Sequence, residues 1–280
     1  MFSIKRALSL TSKSPTNISR ASVHIPNYKL LDVKIEGPVF KIAINNLSRL
    51  NSLCLPIMVE IDDAVNRANE CKDTKFTVVT GNGKYFSTGM DLKQFLDMGT
   101  EGIIKDREKN EKIFANFVDC FLNHDKVLIG AINGPAIGGA ASMTSYFDYN
   151  ICSEDAFFFL PFTKFAITPV DLISVYFPRI IGKIRATEMM LLEKKLTAKE
   201  ALQHGLVNEV VKKEDVWKVT MERVKKFSIY ESENIKAVKD VIKYDDRKNL
   251  PKKSEAEIKI FFDRLCDPKF MEAVKKHFKK

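Results

Sequence analysis

The chain has 280 residues, of which 45% are hydrophobic and 29% charged, and it carries a formal net charge of +9. These values are ordinary for a globular protein, and the length is sufficient to bury a large core in one or two domains. Five Lys and Arg residues precede the first acidic residue, Asp32, so the rest of the chain carries only +4. Because no basic segment is interleaved with aromatic residues, the composition disfavours binding to nucleic acid.

Residues 1–27 have the composition of a targeting segment. They contain Lys and Arg but no acidic residue, they are rich in Ser and Thr, and Phe2, Ile4, Leu8 and Leu10 stand among the basic residues. This pattern predicts a mitochondrial transit peptide, and the alternative is a basic tail without a targeting role. The C-terminal His-Phe-Lys-Lys does not match the Ser-Lys-Leu type of peroxisomal signal. The sequence therefore favours the mitochondrial matrix over the peroxisome.

Residues 28–212 alternate between strand-like and helix-like segments, without a low-complexity linker. The strand-like runs are Tyr28–Ile35, Val39–Ile44, Phe76–Thr80, Val127–Ile132, Tyr149–Cys152, Ala156–Leu160 and Leu206–Val211. The helix-like runs are Leu55–Asn69, Glu108–Leu122, Gly139–Phe147, Arg185–Leu192 and Ala198–Gln203. This alternation predicts an α/β core with parallel strands, and the periodicity alone suggests a doubly wound sheet.

Two strands of this core lead into glycine-containing turns that could bind an anionic atom of a ligand. One turn is Phe86–Asp91, and the other is Asn133–Ala140, in which Gly138 and Gly139 open a helix. A helix N-terminus presents backbone N–H groups that have no partner within the helix, at the positive end of its dipole. Two such turns, each giving one N–H, could form an oxyanion hole. The alternative is that the glycines only permit tight turns.

The segment from Val127 to Phe147 has no charged residue until Asp148, which raises the alternative of a transmembrane helix. Gly134 and Gly138 also have the spacing of a membrane packing motif. However, Asn133 and Pro135 lie in the middle of the segment, and a strand, a turn and a buried helix explain the same residues. No membrane span is therefore expected.

Residues 213–280 are predicted to form a charged, helical C-terminal region. The predicted helices are Glu214–Phe227, Glu233–Tyr244, Ser254–Leu265 and Pro268–Phe278. The last two carry apolar stripes on one face, which a short helix cannot bury alone. We therefore expect this region to dock on the core or on a neighbouring subunit.

The five cysteines are scattered, without a Cys-x-x-Cys pair, and no histidine lies at metal-ligand spacing from them. They are predicted to be thiols in a reducing compartment. His124 and His204 suggest no pairing with a nucleophile, so covalent catalysis is not expected. No metal and no other cofactor is predicted.

Several motifs that occur in the same order resemble a known family. The motif Phe-Ser-Thr-Gly-Met-Asp-Leu at Phe86–Leu92 and the motif Ile-Asn-Gly-Pro-Ala-Ile-Gly-Gly at Ile132–Gly139 look like those of the crotonase superfamily, which contains enoyl-CoA hydratases and isomerases. The Asn-rich turn at Ile44–Asn51 and the segment Leu196–Val207 are also similar. Phe177–Gly182 and the Lys-rich C-terminal helix look most like the Δ3,Δ2-enoyl-CoA isomerase branch.

This resemblance covers about residues 30 to 270. It implies an α/β crotonase fold, a spiral of ββα units followed by a C-terminal helical region. It also implies a homotrimer, or a hexamer made of two trimers. The ligand that it implies is an acyl-CoA thioester.

By motif position, the resemblance implies an oxyanion hole made by the backbone N–H groups of Thr88 and Gly139. The residues that it implies around the substrate are Ser87, Thr88, Gly89, Met90, Asp91 and Gly139. An enoyl-CoA isomerase also needs one base, which removes the α-proton and returns a proton at the γ-carbon.

The carboxylates that this family uses as bases are absent. Ser142 and Phe162 match the two hydratase glutamates, and Val170 matches the glutamate of the isomerase branch. Asp171 is the remaining candidate, although adjacent residues at a helix start point about 100° apart. Its alternative role is to complement the dipole of a helix that starts at Thr168–Asp171.

Two functions therefore stay open. One is an active Δ3,Δ2-enoyl-CoA isomerase of β-oxidation that uses Asp171, and the other is a non-catalytic acyl-CoA-binding protein or partner subunit. A hydratase is disfavoured, because it normally needs two carboxylates to activate water. The sequence pattern favours weak or absent isomerase activity in a protein that still binds acyl-CoA.

Overall fold

The computed structural model describes residues 23–279, so most of the predicted transit peptide lies outside the described residues. The strands are β1 (Leu31–Glu36), β2 (Val39–Ile44), β3 (Phe76–Gly81), β4 (Val127–Ile132), β5 (Ala136–Ile137), β6 (Tyr149–Ser153), β7 (Phe157–Phe159), β8 (Leu196–Thr197) and β9 (Glu209–Val211). The helices are α1 (Leu55–Glu70), α2 (Leu92–Lys105), α3 (Arg107–Leu122), α4 (Gly139–Met143), α5 (Ile173–Ile181), α6 (Lys183–Leu192), α7 (Ala198–Gln203), α8 (Val216–Phe227), α9 (Ser232–Ile242), α10 (Tyr244–Leu265) and α11 (Pro268–Phe278).

The strands form two sheets. The larger sheet has the order β1-β2-β3-β4-β6-β9, in which β1 is antiparallel to β2 and all other neighbours are parallel. The smaller sheet has the order β5-β7-β8. The parallel α/β core is therefore confirmed, whereas the single doubly wound sheet suggested by periodicity is wrong. The reason is that the chain leaves the large sheet after β4 and β6 to form short strands elsewhere.

The large sheet is buried on both faces, because successive side chains of a strand point to opposite sides. One face contributes to the main core with α1, α3 and α10, through side chains that include Phe40, Ile42, Ile44, Val79, Leu128 and Ile132. The other face packs against α8, through Val39, Phe76, Val78, Ile129, Ala131, Val216 and Val224. This double burial explains why β3 and β4 contain no charged residue and why β4 is entirely apolar.

The C-terminal region docks on the core of the same chain. Helix α10 packs against α3, where the Phe114 ring lies 5.5 Å from Phe261 and 5.4 Å from Phe262 between ring centroids. The predicted start of this helix at Ser254 is wrong, because α10 begins at Tyr244 and continues through Pro251. Tertiary contacts hold the early turns: Arg247 donates hydrogen bonds to the carbonyls of Leu122 and His124, just after α3.

Some elements have no counterpart among the predicted ones. Helices α2 and α5 were not predicted, and the helix that opens at Gly139 ends at Met143 and continues as a 3-10 turn to Tyr146. Gly99 has φ of +66° and interrupts α2. A glycine within a helical segment weakens the helical pattern of the sequence, which explains why α2 was not predicted. Among residues 23–279, no helix is both long and apolar enough to span a membrane.

Candidate active site

The two glycine-containing turns predicted from the sequence lie in direct contact. The Ser87 amide donates to the Pro135 carbonyl at 3.3 Å, and the Ile137 amide donates to the Ser87 carbonyl at 3.1 Å. Gly89 has φ of +74°, and a Cβ built on it would lie 2.2 Å from the Ile137 carbonyl oxygen. Only glycine permits both this conformation and this close approach. The backbone of the first turn is thereby held against the start of α4.

The amide of Gly139 is available to a ligand. Gly139 is the first residue of α4, and its N–H makes no hydrogen bond with any described residue. A Cβ built on Gly89 would lie 3.2 Å from this nitrogen, so the first turn passes directly beside it. The predicted donor on the α4 side is therefore placed where an oxyanion could bind.

The amide of Thr88, in contrast, is not free to bind a ligand. It donates to the Leu50 carbonyl at 3.3 Å, and the Thr88 hydroxyl donates to the same oxygen. A donor already engaged in the fold is a poor partner for a ligand oxygen, so the geometry argues against the predicted role of Thr88.

The amide of Met90 is the better candidate in this turn. Leu53 donates to the Gly89 carbonyl at 2.7 Å and accepts from the Asp91 amide at 3.2 Å. These two bonds flank Met90, so its own N–H points to the side away from Leu53. Within residues 23–279 the Met90 amide has no acceptor, and Met90 lines the same cavity as Gly139.

Two other residues that were predicted to contact the substrate instead hold the turn. The Ser87 hydroxyl accepts from the Gly89 amide at 3.1 Å, and its side chain is fully buried. Asp91 caps the N-terminus of α2 by accepting from the Gln94 amide at 3.3 Å, and it forms an ion pair of 3.0 Å with Arg49. Asp91 also lines the cavity, whereas Ser87 does not.

Both turns open onto a cavity of about 650 Å³. Its polar lining includes Asp171, the backbone of Met90 and Gly139, and the charged side chains of Arg49, Lys93 and Lys164, and much of the remaining wall is aromatic, from Phe114, Phe159, Phe162, Phe165, Phe261 and Phe278. Phe261 and Phe278 come from α10 and α11, so the C-terminal region completes the cavity wall. An apolar chain attached to a polar carbonyl group matches this division of the surface.

Asp171 lies in an unusual turn and not in the first turn of a helix. Both Asp171, with φ of +61°, and Leu172, with φ of +56°, adopt the left-handed conformation, and α5 begins only at Ile173. The expected helix start at Thr168–Asp171 is therefore wrong, and Asp171 makes no capping hydrogen bond. Adjacent side chains point about 100° apart only in a helix, so that spacing does not turn the Asp171 side chain away from the position of Val170 in this backbone.

The left-handed turn directs the Asp171 carboxylate to the N-terminus of α4. Its Oδ2 lies 3.3 Å from the position that a Cβ on Gly139 would occupy, and its buried Oδ1 has no hydrogen-bond partner among the described residues. Burial and the nearby Glu257 carboxylate raise the pKa of Asp171 to about 7. A buried carboxylate with a raised pKa, placed beside the free Gly139 amide, is suited to accept and return a proton.

The three positions that match the family's glutamates hold no acid in the structure either. Ser142 is buried in α4 and its hydroxyl lies 3.4 Å from the Gly138 carbonyl, while Phe162 and Val170 line the cavity. Of the cavity-lining residues that the structure describes, only Asp91 and Asp171 are acidic. Of these two, Asp91 is engaged by Arg49 and Gln94, whereas Asp171 has a carboxylate oxygen without a partner among the described residues.

Sequence reasoning missed two features of this site. That the Met90 amide is free could have been inferred only from the pairing of its neighbours with Leu53, which the local sequence does not show. Glu257, whose carboxylate bonds to the turn at Asp171, lies 85 positions from Leu172. No local signal marks so distant a contact.

The other candidate groups lie elsewhere. His124 is buried, with its Nε2 2.9 Å from the Thr77 hydroxyl, and it does not line the cavity. Over residues 23–279, no cluster of three His, Cys, Asp or Glu side chains is arranged to hold a metal ion. The five cysteines are free thiols.

Comparisons with known proteins identify the family of this chain. The sequence matches the family described as Enoyl-CoA hydratase/isomerase over residues 34–280. It is 32% identical over 247 residues to enoyl-CoA delta isomerase 2 of Homo sapiens, a match that covers 88% of this chain but only 62% of that protein. It is 30% identical over 271 residues to the protein of Mus musculus named enoyl-CoA delta isomerase 3, peroxisomal, covering 96% of this chain and 84% of that protein.

Among solved structures, an enoyl-CoA hydratase from Bacillus halodurans has the same fold. It superimposes with a TM-score of 0.83 over 88% of this chain and 99% of that chain. The sequence identity is 22%, so this likeness establishes the crotonase fold and nothing about the reaction.

Proposed function

The chain belongs to the enoyl-CoA hydratase/isomerase family, in the isomerase branch of the crotonase superfamily, and from this premise we propose that it is an active Δ3,Δ2-enoyl-CoA isomerase of fatty-acid β-oxidation. The observation that carries the proposal is the placement of the Asp171 carboxylate beside Gly139. The sequence pattern alone favoured binding without turnover. The left-handed turn at Asp171 is what favours turnover instead.

In the proposed reaction, the thioester oxygen accepts hydrogen bonds from the amides of Gly139 and Met90. Asp171 removes a proton from C2 of a 3-enoyl-CoA, and the electron pair of that C–H bond forms a dienolate with negative charge on the thioester oxygen. The protonated Asp171 then returns the proton to C4, which moves the double bond from C3–C4 to C2–C3. Two fixed amides stabilise the intermediate charge, and one carboxylate performs both proton transfers.

The cavity favours isomerisation over hydration. Adding water across a double bond requires groups that bind and activate a water molecule, and the two positions that match the hydratase carboxylates are Ser142 and Phe162. Phe162 lines the cavity and presents an apolar ring where a carboxylate would hold water. Exclusion of water also protects the dienolate and strengthens the oxyanion contacts.

The proposal is tested with purified full-length protein and a 3-enoyl-CoA substrate. Added enoyl-CoA hydratase and 3-hydroxyacyl-CoA dehydrogenase report the 2-enoyl-CoA product as NADH. Asp171→Asn keeps the shape of the side chain but cannot accept the proton, so kcat should fall by about 10²–10⁴-fold. Calorimetry with a saturated acyl-CoA should show nearly unchanged affinity. Wild-type protein without activity, or Asp171→Asn with full activity, would contradict the proposal.

The second candidate function is acyl-CoA binding without catalysis. The observation in its favour is that Ser142, Phe162 and Val170 replace all three glutamates of the family. It predicts that the wild-type protein binds acyl-CoA thioesters and shows no isomerase activity above buffer. Absence of binding at millimolar acyl-CoA would rule out both functions.

The predicted assembly is supported by an exposed apolar face on α9. Val238, Val241 and Ile242 are 60%, 78% and 70% exposed in the single chain, which is a large apolar surface for a helix to leave in water. We expect this face to be covered in a homotrimer or hexamer. Light scattering of the purified protein would show a monomeric mass if this expectation is wrong.

We propose the mitochondrial matrix as the compartment of this protein. The composition of residues 1–27 supports the mitochondrial matrix, whereas the name of the mouse relative supports a peroxisomal alternative. A reporter fused to residues 1–40 should be imported into mitochondria. A cytosolic or peroxisomal reporter would contradict the transit-peptide prediction.

A further inference from the structure

A carboxylate from the C-terminal region reaches the turn that presents Asp171. Glu257 lies on α10 and is only 5% exposed. Its Oε2 accepts the backbone N–H of Leu172 at 2.9 Å, and its Oε1 accepts the hydroxyl of Ser174. One side chain thus ties α10 to Leu172 and to the first turn of α5.

The segment needs such support, because its backbone is strained. Non-glycine residues disfavour the left-handed region, and Asp171 and Leu172 occupy it in succession. Such a conformation persists only where the surroundings hold it. Here the Tyr146 hydroxyl donates to the Asp171 carbonyl at 2.6 Å, and Glu257 accepts from the next amide. The two bonds fix the peptide between Asp171 and Leu172 from both sides.

Glu257 also acts on Asp171 through its charge. After burial, the Glu257 carboxylate is the neighbour that raises the pKa of Asp171. Other titratable groups near this turn include Tyr146, Cys120, Tyr176 with its partner Asp246, and Lys253. Burial raises the pKa of both tyrosines, so they stay neutral near pH 7, and Lys253 lies 3.8 Å from Glu257. Substitution of Glu257 therefore changes the electrostatic environment of the proposed base.

We propose that Glu257 is a positioning residue for the isomerase reaction, which holds the Asp171–Leu172 turn so that the Asp171 carboxylate faces the N-terminus of α4. This inference rests on the proposed function, because the base that it positions is Asp171. It also assigns α10 a role in the reaction beyond closing the cavity. The carboxylate of Glu257 itself bonds to Leu172 and Ser174 and does not take the substrate proton.

Three variants on α10 test whether Glu257 positions the Asp171–Leu172 turn or only helps α10 to pack on the core. Glu257→Ala removes both hydrogen bonds and leaves the Leu172 amide buried without a partner. Glu257→Gln can still accept from that amide but carries no charge. Ser254→Ala is the matched control, because Ser254 is equally buried on the same helix and its hydroxyl has no partner among the described residues.

Glu257→Ala should lower kcat by about 10²-fold, because a small displacement of a reacting group is sufficient for such a loss, while KM should change by less than about threefold. Glu257→Gln should recover a large part of kcat. Its kcat/KM should extend to lower pH than that of the wild type, because loss of a neighbouring negative charge lowers the pKa of Asp171 and keeps it ionised in more acidic solution. Ser254→Ala should match the wild type.

The outcomes distinguish this inference from the proposed function. If Asp171→Asn is inactive while folded Glu257→Ala has the same kcat as Ser254→Ala, the role of Glu257 is refuted and the isomerase proposal stands. If Glu257→Ala does not fold, Glu257→Gln decides: unchanged kcat together with an unchanged pH profile would refute the role. A wild-type protein without isomerase activity would refute both.

Discussion

The turn at Gly138–Gly139 and the turn at Asp171–Leu172 face the same cavity, but different interactions hold them. The first depends on glycine and on backbone bonds between neighbouring strands and turns. The second consists of two left-handed non-glycine residues, held by Tyr146 and Glu257 from 25 and 85 positions away. The turn at Gly138–Gly139 is therefore set largely by residue type, whereas the turn that carries Asp171 depends on the packing of distant elements.

The largest effect is expected from breaking the contact between the two oxyanion turns. Gly89→Ala would place a Cβ 2.2 Å from a backbone carbonyl at a φ of +74°, so we expect a loss of more than about 4 kcal/mol of unfolding free energy and loss of acyl-CoA binding. Gly37→Ala is the matched control, because Gly37 also has a positive φ but nothing lies within 4 Å of its Cβ position. It should lose only about 1–2 kcal/mol. Equal unfolding free energies in urea titrations of the two variants would contradict the close packing of the turns.

The buried carboxyl group of Asp171 makes the stability of the protein depend on pH. The folded-state pKa of Asp171 is raised from 3.8 to about 7, so the folded protein binds more protons than the unfolded chain between these values. The contribution of the protonated Asp171 side chain to the free energy of unfolding is complete below about pH 4, and it is lost as the pH rises through about 7. Relative to the wild type, Asp171→Asn should gain up to roughly 4 kcal/mol of unfolding free energy between pH 4 and pH 8.

Urea titrations of the wild type and Asp171→Asn across this pH range measure the change directly, and any constant effect of the amide cancels in the comparison. A stability difference that does not vary with pH would mean that Asp171 is not buried as an acid of raised pKa. The ionisation of Asp171 also sets the acidic limb of the kcat/KM profile, which we expect near pH 7, with activity rising toward alkaline pH.

The oxyanion side is tested by removing one amide donor. Gly139→Pro eliminates the N–H at the first position of α4, where proline is tolerated, and kcat should fall by about 10²–10³-fold. Gly139→Ala keeps the N–H and adds only a Cβ 3.3 Å from the Asp171 carboxylate, so its loss should be smaller than that of the proline variant. Steady-state kinetics of the two folded variants would contradict the oxyanion role if their kcat values were the same.

The smallest effect is expected from moving the carboxylate to the position that the family uses. In the Asp171→Asn background, Val170→Glu should raise kcat about tenfold above that of Asp171→Asn alone, because Val170 also lines the cavity. Val170→Gln in the same background has a similar shape without a base and should recover nothing. Equal kcat in the Glu and Gln variants would show that only the backbone at Asp171 brings a carboxylate to the substrate.

Much of this protein is determined by local sequence. The buried strands β3 and β4 follow from apolar runs such as Phe76–Thr80 and Val127–Ile132, because a strand buried on both faces needs apolar side chains on both. The Gly138–Gly139 turn follows from residue type, because glycine has no Cβ to exclude the required conformation. These features sufficed to predict the α/β core, the glycine turn that leaves the Gly139 amide free and, by resemblance, the crotonase family that the comparisons confirm.

Only the tertiary structure decided which residues complete the site. Thr88 and Met90 are equivalent by local pattern, and the pairing with Leu53 and Leu50 determines which amide remains free. Asp171 lies two residues after Pro169 and has the local pattern of a helix start, yet hydrogen bonds with Tyr146 and Glu257 stabilise a left-handed turn there. The physical reason is that the local conformational preference of one residue is weak, so a few long-range hydrogen bonds in a buried environment can reverse it.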